Sequence, residues 1–351
     1  MIKDIKIGSR LIGEGHKPFI IAEMSGNHGG KIGIAKKIID FVAKSGADAI
    51  KLQTYTADTM TIDLDRGEFR VNDKNSIWFG KTLYELYQEA YTPWEWHEEL
   101  FNYAEKLGLI PFSTPFDSSA VDFLENLNAA CYKIASFENT DLDLIERVIK
   151  TGKPIIISTG MSEIGEISET VNFARAKGCQ DLVLLKCTSS YPADPLDANL
   201  RTIPHLRELS GCHIGLSDHS LGIGVSVASI AFGVTVIEKH VTLDRNNGYV
   251  DSKFSMEPEE FRQLVIETAV AHQALGNVKY GFTNSENQSS LHRRSLYIVE
   301  DIEVGSKINE SNMRAIRPGL GLPIKFRSHF LEKTVRRKIL RGTPVTWEIL
   351  Q

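Results

Sequence analysis

The sequence is poor in cysteine, in net charge and in long apolar runs, and each shortage excludes something. Its four cysteines (Cys131, Cys179, Cys187 and Cys212) among 351 residues lack metal-finger spacing and are too few for a disulfide scaffold. A reducing, cytoplasmic setting is expected. Lys and Arg number 40 against 45 Asp and Glu, a formal net charge of −5, so no basic excess points to a nucleic-acid partner. The opening Met1-Ile2-Lys3-Asp4-Ile5-Lys6 lacks the apolar run of a signal peptide. One uncharged stretch, Ser220 to Ile237, approaches the roughly 20 residues of a bilayer span. Its glycines (Gly222, Gly224, Gly233), its serines (Ser226, Ser229) and its exit into Glu238-Lys239-His240 read instead as a buried helix entering a buried strand. No membrane partner is expected.

What is present is rhythm. Eight short apolar runs recur: Phe19–Ala22, Ala47–Leu52, Leu109–Phe112, Cys131–Ala135, Pro154–Ile157, Leu182–Leu185, His213–Leu216 and Val234–Ile237. Between them lie amphipathic stretches such as Ile34–Lys44, Pro93–Leu107 and Glu166–Lys177, several ending in turn residues such as Ser45-Gly46 and Lys177-Gly178. Eight strands alternating with helices predict an α/β fold, a (β/α)8 TIM barrel. An open doubly wound sheet is the competing layout, but it does not favour eight repeats, and no convincing Gly-x-Gly-x-x-Gly turn supports it.

Two places break the rhythm. The connection from Thr54 to Pro93 exceeds the usual 2–6 residues and carries Trp78, Phe79, Tyr84, Tyr87 and Tyr91, which predicts a lid or wall with some helix of its own. Around Gly276–Ser290, Gly, Asn, Ser and Gln accumulate as in a linker. The predicted domains are a barrel over 1–280, a linker over 281–290 and a small module over 291–351. Residues 288–351 hold 12 Lys/Arg against 6 Asp/Glu, a charge of +6, which leaves −11 for the preceding residues.

A barrel of this kind builds its site where strands run into the following loops. The strand ends offer Glu23 with Asn27-His28; Lys51 and Gln53; Ser113-Thr114; Lys133 and Ser136; Ser158-Thr159; Lys186 with Ser189 and Tyr191; Ser217-Asp218-His219; and Glu238 with His240. Taken singly, a strand lysine commonly snorkels and a histidine commonly packs. Polar groups at all eight ends point to a site, because ionisable groups buried without partners cost several kcal/mol each. Lys51, Lys133 and Lys186 with the hydroxyls of Ser136, Ser158, Thr159 and Ser217 suit a small anion bearing phosphate and carboxylate. His219 and His240, on adjacent strands, suit an incompletely ligated divalent ion such as manganese, cobalt or iron rather than a structural zinc.

Several stretches resemble the sialic acid synthase family, most closely its pseudaminic acid branch. They are Ile21-Ala22-Glu23-Met24-Ser25-Gly26-Asn27-His28, Gly46-Ala47-Asp48-Ala49-Ile50-Lys51-Leu52-Gln53-Thr54, Lys133-Ile134-Ala135-Ser136, Ser158-Thr159-Gly160-Met161, Gly215-Leu216-Ser217-Asp218-His219 and Ile237-Glu238-Lys239-His240. The resemblance runs from about residue 15 to the C-terminus, with the motifs in the family's order. It implies condensation of phosphoenolpyruvate with an N-acylated amino sugar in its aldehyde form. His219 and His240 would hold a divalent metal, manganese first, with magnesium or cobalt as alternatives. Lys51, Lys133, Ser136, Ser158 and Ser217 would hold phosphoenolpyruvate, Gln53, Tyr191 and Asp251 would approach the sugar, and Glu23 would be the acid/base group. Asn27, Ser113, Thr159, Lys186 and Ser189 join the expected substrate-binding set.

The basic tail resembles the antifreeze-like (SAF) domain of these synthases. This implies a homodimer in which the tail caps the partner subunit's site and Arg317, in Arg317-Pro318-Gly319, touches the sugar. Neuraminic acid synthases usually show His and Asn where this chain has Lys186 and Ser189. That departure tells against N-acetylmannosamine, and the segments Tyr55–Thr61 and Leu83–Trp96 resemble the pseudaminic branch. This resemblance implies 2,4-diacetamido-2,4,6-trideoxy-altrose as the sugar, with the aromatic lid over its methyl end, and a product for flagellin glycosylation or surface polysaccharide. The competing readings are a legionaminic or neuraminic acid synthase, another metal-dependent barrel enzyme such as an aldolase or epimerase, and a non-catalytic carbohydrate-binding protein.

Overall fold

The computed structural model describes residues 2–74 and 76–350, which divide into two compact units, 1–276 and 277–351. The first opens with a two-stranded antiparallel hairpin, β1 (Ile5–Ile7) and β2 (Arg10–Ile12). Eight parallel strands follow: β3 (Phe19–Glu23), β4 (Ala49–Thr54), β5 (Ile110–Pro115), β6 (Tyr132–Ile134), β7 (Ile155–Ser158), β8 (Leu182–Cys187), β9 (His213–Asp218) and β10 (Val236–His240). They pair in sequence order, and β10 pairs with β3 to close the barrel. The helices are α1 (Ile32–Ser45), α2 (Ala57–Met60), α3 (Leu83–Ala90), α4 (Trp94–Lys106), α5 (Ser118–Asn126), α6 (Leu142–Ile149), α7 (Ile164–Ala176), α8 (Thr202–Ser210), α9 (Gly224–Ile230) and α10 (Pro258–Leu275). The (β/α)8 expectation is met. Seven of the eight strands run past the apolar stretches into polar residues such as Glu23, Gln53 and His240.

Successive side chains on a strand face opposite ways, and this alternation divides the core into two layers. Phe19, Ile21, Ala49, Ile110, Phe112, Ile156, Val183, Leu185 and Val236 fill the barrel interior. Their neighbours, including Ile20, Ala22, Ile50, Leu52, Ile134, Leu184, Leu216 and Ile237, pack with the helices in a second cluster. Each such aliphatic side chain contributes about 1.5–3 kcal/mol by burial. Ile5, Ile7 and Ile12 of the hairpin join the interior cluster, so the hairpin closes the N-terminal end of the barrel. The cavity is left to the other end.

The long connection after β4 holds α2, a 3-10 turn at Gly67–Phe69 and α3. Thr82 and Glu85 form a capping box that starts α3. The uncharged stretch beginning at Ser220 resolves into α9 and β10; among the described residues no helix is long and apolar enough to cross a membrane.

The second unit pairs β11 (Ser295–Ile298) antiparallel with β12 (Met313–Ile316). It has its own core, including Leu296, Ile298, Ile308, Met313, Phe330, Val335 and Val345. The stretch read as linker from sequence contains a 3-10 turn at Asn284–Glu286 and a short helix, Asn287–Ser290.

Candidate active site

A cavity of about 390 Å³ opens at the C-terminal ends of the strands. Lys51, Gln53, Lys133, Ser136, Ser158, Tyr191, Ser217, His219, His240 and Asp251 all line it. The same alternation that fills the interior with Phe19 and Ile21 points Glu23 inward, directly beneath: its carboxylate meets Lys51 Nζ at 2.8 Å and accepts from Gln53 at 2.9 Å. Lys133 donates to Ser158 at 2.7 Å. Glu238 sits between the two lysines, 3.7 Å from Lys51 and 3.8 Å from Lys133, and accepts from Ser217 at 3.2 Å.

Two buried carboxyls beside two buried ammonium groups take different protonation states. Burial pushes Glu23 up to about 7; Lys51 pulls against that shift and Glu238 adds to it. Burial also works to raise Glu238, but Lys133, Lys51 and His219 outweigh it and hold this carboxyl below its ordinary value. One carboxylate stays charged while the other is poised to trade a proton near neutrality. Burial opposes the charge on Lys51, yet Glu23 and Glu238 raise its pKa. For Lys133 burial wins and the pKa falls.

The His219 and His240 rings lie 5.2 Å apart between centroids. His219 Nδ1 sits 3.0 Å from the Thr188 carbonyl oxygen, which leaves Nε2 for another partner. His240 Nδ1 is buried without a hydrogen-bond partner, 3.9 Å from Asp251. Burial, with His219, Lys51 and Lys239 nearby, drives the His240 pKa well down and keeps the ring neutral. Burial works the same way on His219, but Cys187, the Thr188 carbonyl and Glu238 outweigh it and raise that pKa; a divalent ion binds the neutral form of each ring. Among the described residues no group of three His, Cys, Asp or Glu is arranged around a common ion; the two imidazoles by themselves are fewer ligands than the four of a closed structural site.

Opposite this polar floor stands an apolar wall. Met60, Val71, Trp78, Leu83, Leu86 and Tyr87 from the long connection face the cavity. Trp78 donates its indole N–H to the Val250 carbonyl at 2.9 Å, and its ring lies 6.0 Å from that of Tyr191. The wall is fastened across the mouth.

Several expected residues lie elsewhere, and alternation explains most of them. Ser113 shares its face of β5 with outward positions and bonds Thr54 at 2.6 Å, while Thr114 points inward and accepts from Lys51 at 3.1 Å. Lys186 faces outward, donating to Thr188 and the Asp197 carbonyl, and Cys187 takes the cavity position. Thr159 turns its hydroxyl to the Leu185 carbonyl. Asn27 ties two loops together through Val241 and Ser255. Ser189 lies beside Ser136 and Gly160: a Cβ on Gly160 would fall 2.2 Å from the Ser189 hydroxyl and 2.8 Å from that of Ser136, so both hydroxyls would have to turn to admit it. Arg317 lies in the second unit, exposed directly after β12. Thr114 and Glu238, offered by the sequence only as polar strand ends, take inward positions beside Lys51, and Cys187 and Glu138 line the cavity without a signal having been read for them.

The NeuB family profile matches residues 38–280, more than half of the chain. The chain belongs to the NeuB family. A SAF domain profile matches residues 293–351. Among the NeuB family's relatives, this chain is 40% identical to the pseudaminic acid synthase of Campylobacter jejuni over 93% of this chain and 94% of that one. It is 39% identical to the Helicobacter pylori pseudaminic acid synthase over 94% and 96%. The N,N'-diacetyllegionaminic acid synthase of Campylobacter jejuni is 35% identical over 90% and 95%. A crystal structure of N-acetylneuraminic acid synthetase from Leptospira borgpetersenii, in complex with citrate, superposes with a TM-score of 0.73 at 33% identity, over 82% of this chain and 95% of that one.

Proposed function

We propose that this NeuB-family chain is a pseudaminic acid synthase. It joins phosphoenolpyruvate to the open-chain aldehyde of 2,4-diacetamido-2,4,6-trideoxy-β-L-altropyranose, consumes water and releases phosphate. The observation that carries this reading is the meeting of Lys51, Lys133, Ser136, Ser158 and Ser217 with His219, His240 and an apolar wall in one cavity. The ammonium and hydroxyl groups suit the carboxylate and phosphate of one reactant. Gln53, Tyr191 and Asp251 suit the polyhydroxy chain of the other, and the wall of Trp78, Leu83 and Leu86 suits its methyl terminus.

Carbon 3 of phosphoenolpyruvate attacks the aldehyde carbon, water adds at carbon 2, and the C–O bond to phosphate breaks. His219 and His240 would hold a divalent ion, manganese by preference, which when bound would supply Lewis-acid polarisation of the aldehyde. The alkoxide formed at the sugar needs a proton and the incoming water gives one up. Glu23, poised near neutrality, is the group suited to carry it. Holding both reactants in one cavity replaces a bimolecular encounter and lowers the barrier by about 7–11 kcal/mol.

We assign the second unit as a cap over the partner subunit's cavity in a homodimer, with Arg317 reaching the sugar; its charge of +6 against −11 for the preceding residues supports docking. Four free thiols, all buried, suit the cytoplasm. The test is a substrate panel with phosphoenolpyruvate and manganese, read by product mass. The altrose derivative should turn over fastest; faster turnover of the legionaminic precursor or of N-acetylmannosamine would overturn the pseudaminic assignment and leave the family chemistry standing.

A further inference from the structure

Asp218 and Lys239 directly precede the two imidazole residues, and neither faces the cavity. They are register partners on β9 and β10, on the outward side, and are 4% and 1% exposed. Lys239 Nζ meets Asp218 Oδ2 at 2.9 Å and also donates to the Ser220 carbonyl. Asp218 Oδ1 accepts from the Ser220 backbone N–H at 2.9 Å and from its hydroxyl at 2.6 Å, and Oδ2 accepts from Ser226 of α9 at 2.6 Å. His219 is therefore enclosed between Asp218 and Ser220, which are bonded to each other, and Lys239, the residue before His240, is bonded to both.

A buried ion pair is weak evidence for stability, since apolar residues of similar volume often serve a fold as well or better. Its distinctive property is geometric: four donors converge on one carboxylate and fix the ends of two strands relative to each other. We infer that Asp218 and Lys239 are positioning residues that set the separation and orientation of the His219 and His240 imidazoles. The inference rests on the proposed reading of those imidazoles as a metal pair. Partners behind metal ligands typically change affinity by about 10- to 100-fold when removed.

The test uses the full chain carrying Asp218→Asn with Lys239→Met, which removes both charges together so that neither is stranded. Two readouts are taken. In metal-free protein, hydrogen exchange of residues 217–221 and 238–241 should quicken relative to the rest of the barrel. In calorimetric titration with manganese, affinity should fall by about 10- to 100-fold, while phosphoenolpyruvate binding to metal-free protein stays within about twofold, as expected for a site left intact. A lower melting temperature with unchanged exchange in those segments and unchanged manganese affinity would overturn the inference. If the unaltered protein binds no manganese, the metal reading falls, and the exchange measurement still decides whether the clip fixes the histidines. Should the double variant fail to fold, Ser220→Ala with Ser226→Ala strips two hydroxyl donors and keeps the charges. It should give a smaller loss in the same direction, and no change would count against the clip.

Discussion

At the scale of single residues, Glu23 and Glu238 divide the labour between a proton-trading and a permanently charged carboxyl. Glu23 is raised to about 7 by burial, so the folded protein holds a proton that an unfolded chain releases near 4.5. Folding stability from this group is therefore fully present below about 4.5 and is lost as pH rises through 7. Glu23→Gln should flatten that part of the stability–pH curve in denaturant titrations. It should also cut turnover by about 10²- to 10⁴-fold and erase any limb near neutrality that Glu23 contributes to the pH–rate profile. Lys51→Met strands Glu23 and Glu238 without their shared cation, and the loss of one partner from such a buried group costs about 3–5 kcal/mol, readable as a lowered denaturation midpoint.

The same scale shows what the sequence made legible. Residues read two apart on one strand, Lys51 with Gln53 and Glu238 with His240, reach one side of the barrel as alternation demands. Ser113, Thr159 and Lys186 were chosen by polarity at a strand end without carrying the alternation through from Phe112, Ile157 and Leu185, so outward residues stood in for inward ones. Thr114 and Cys187 were recoverable by that rule. Glu138 was not: it follows β6 in a 3-10 turn, where no fixed period applies.

Among the elements, the barrel strands were legible because each is a short apolar run between turn signals. The hairpin of β1 and β2 was not. Three-residue strands carry too little pattern, and their role depends on an end of the barrel that only closure creates. The long connection after β4 was readable as a wall from its aromatic content, although its attachment through Trp78 was not. That attachment gives a prediction belonging to this element. Trp78→Ala removes the ring against Tyr191 and the bond to Val250, and should raise KM for the sugar by about tenfold or more while leaving KM for phosphoenolpyruvate nearly unchanged. An apolar contact of this size discriminates by about 10- to 200-fold. Steady-state kinetics with each reactant varied in turn would show it; equal effects on both would mean that the wall serves the whole cavity and not the sugar end.

For the molecule as a whole, the two units have separate cores, so the barrel has what it needs to fold without the tail. Chain ending at Ser290 should show cooperative unfolding, bind phosphoenolpyruvate and lose most of its turnover; full activity would remove the capping role. The central claim is a condensation in which water attacks carbon 2 and the C–O bond to phosphate breaks. It is tested most directly by running the reaction in ¹⁸O-enriched water and weighing both products at early times. The account predicts label at carbon 2 of the nine-carbon acid and none in the released phosphate; label in the phosphate would contradict it.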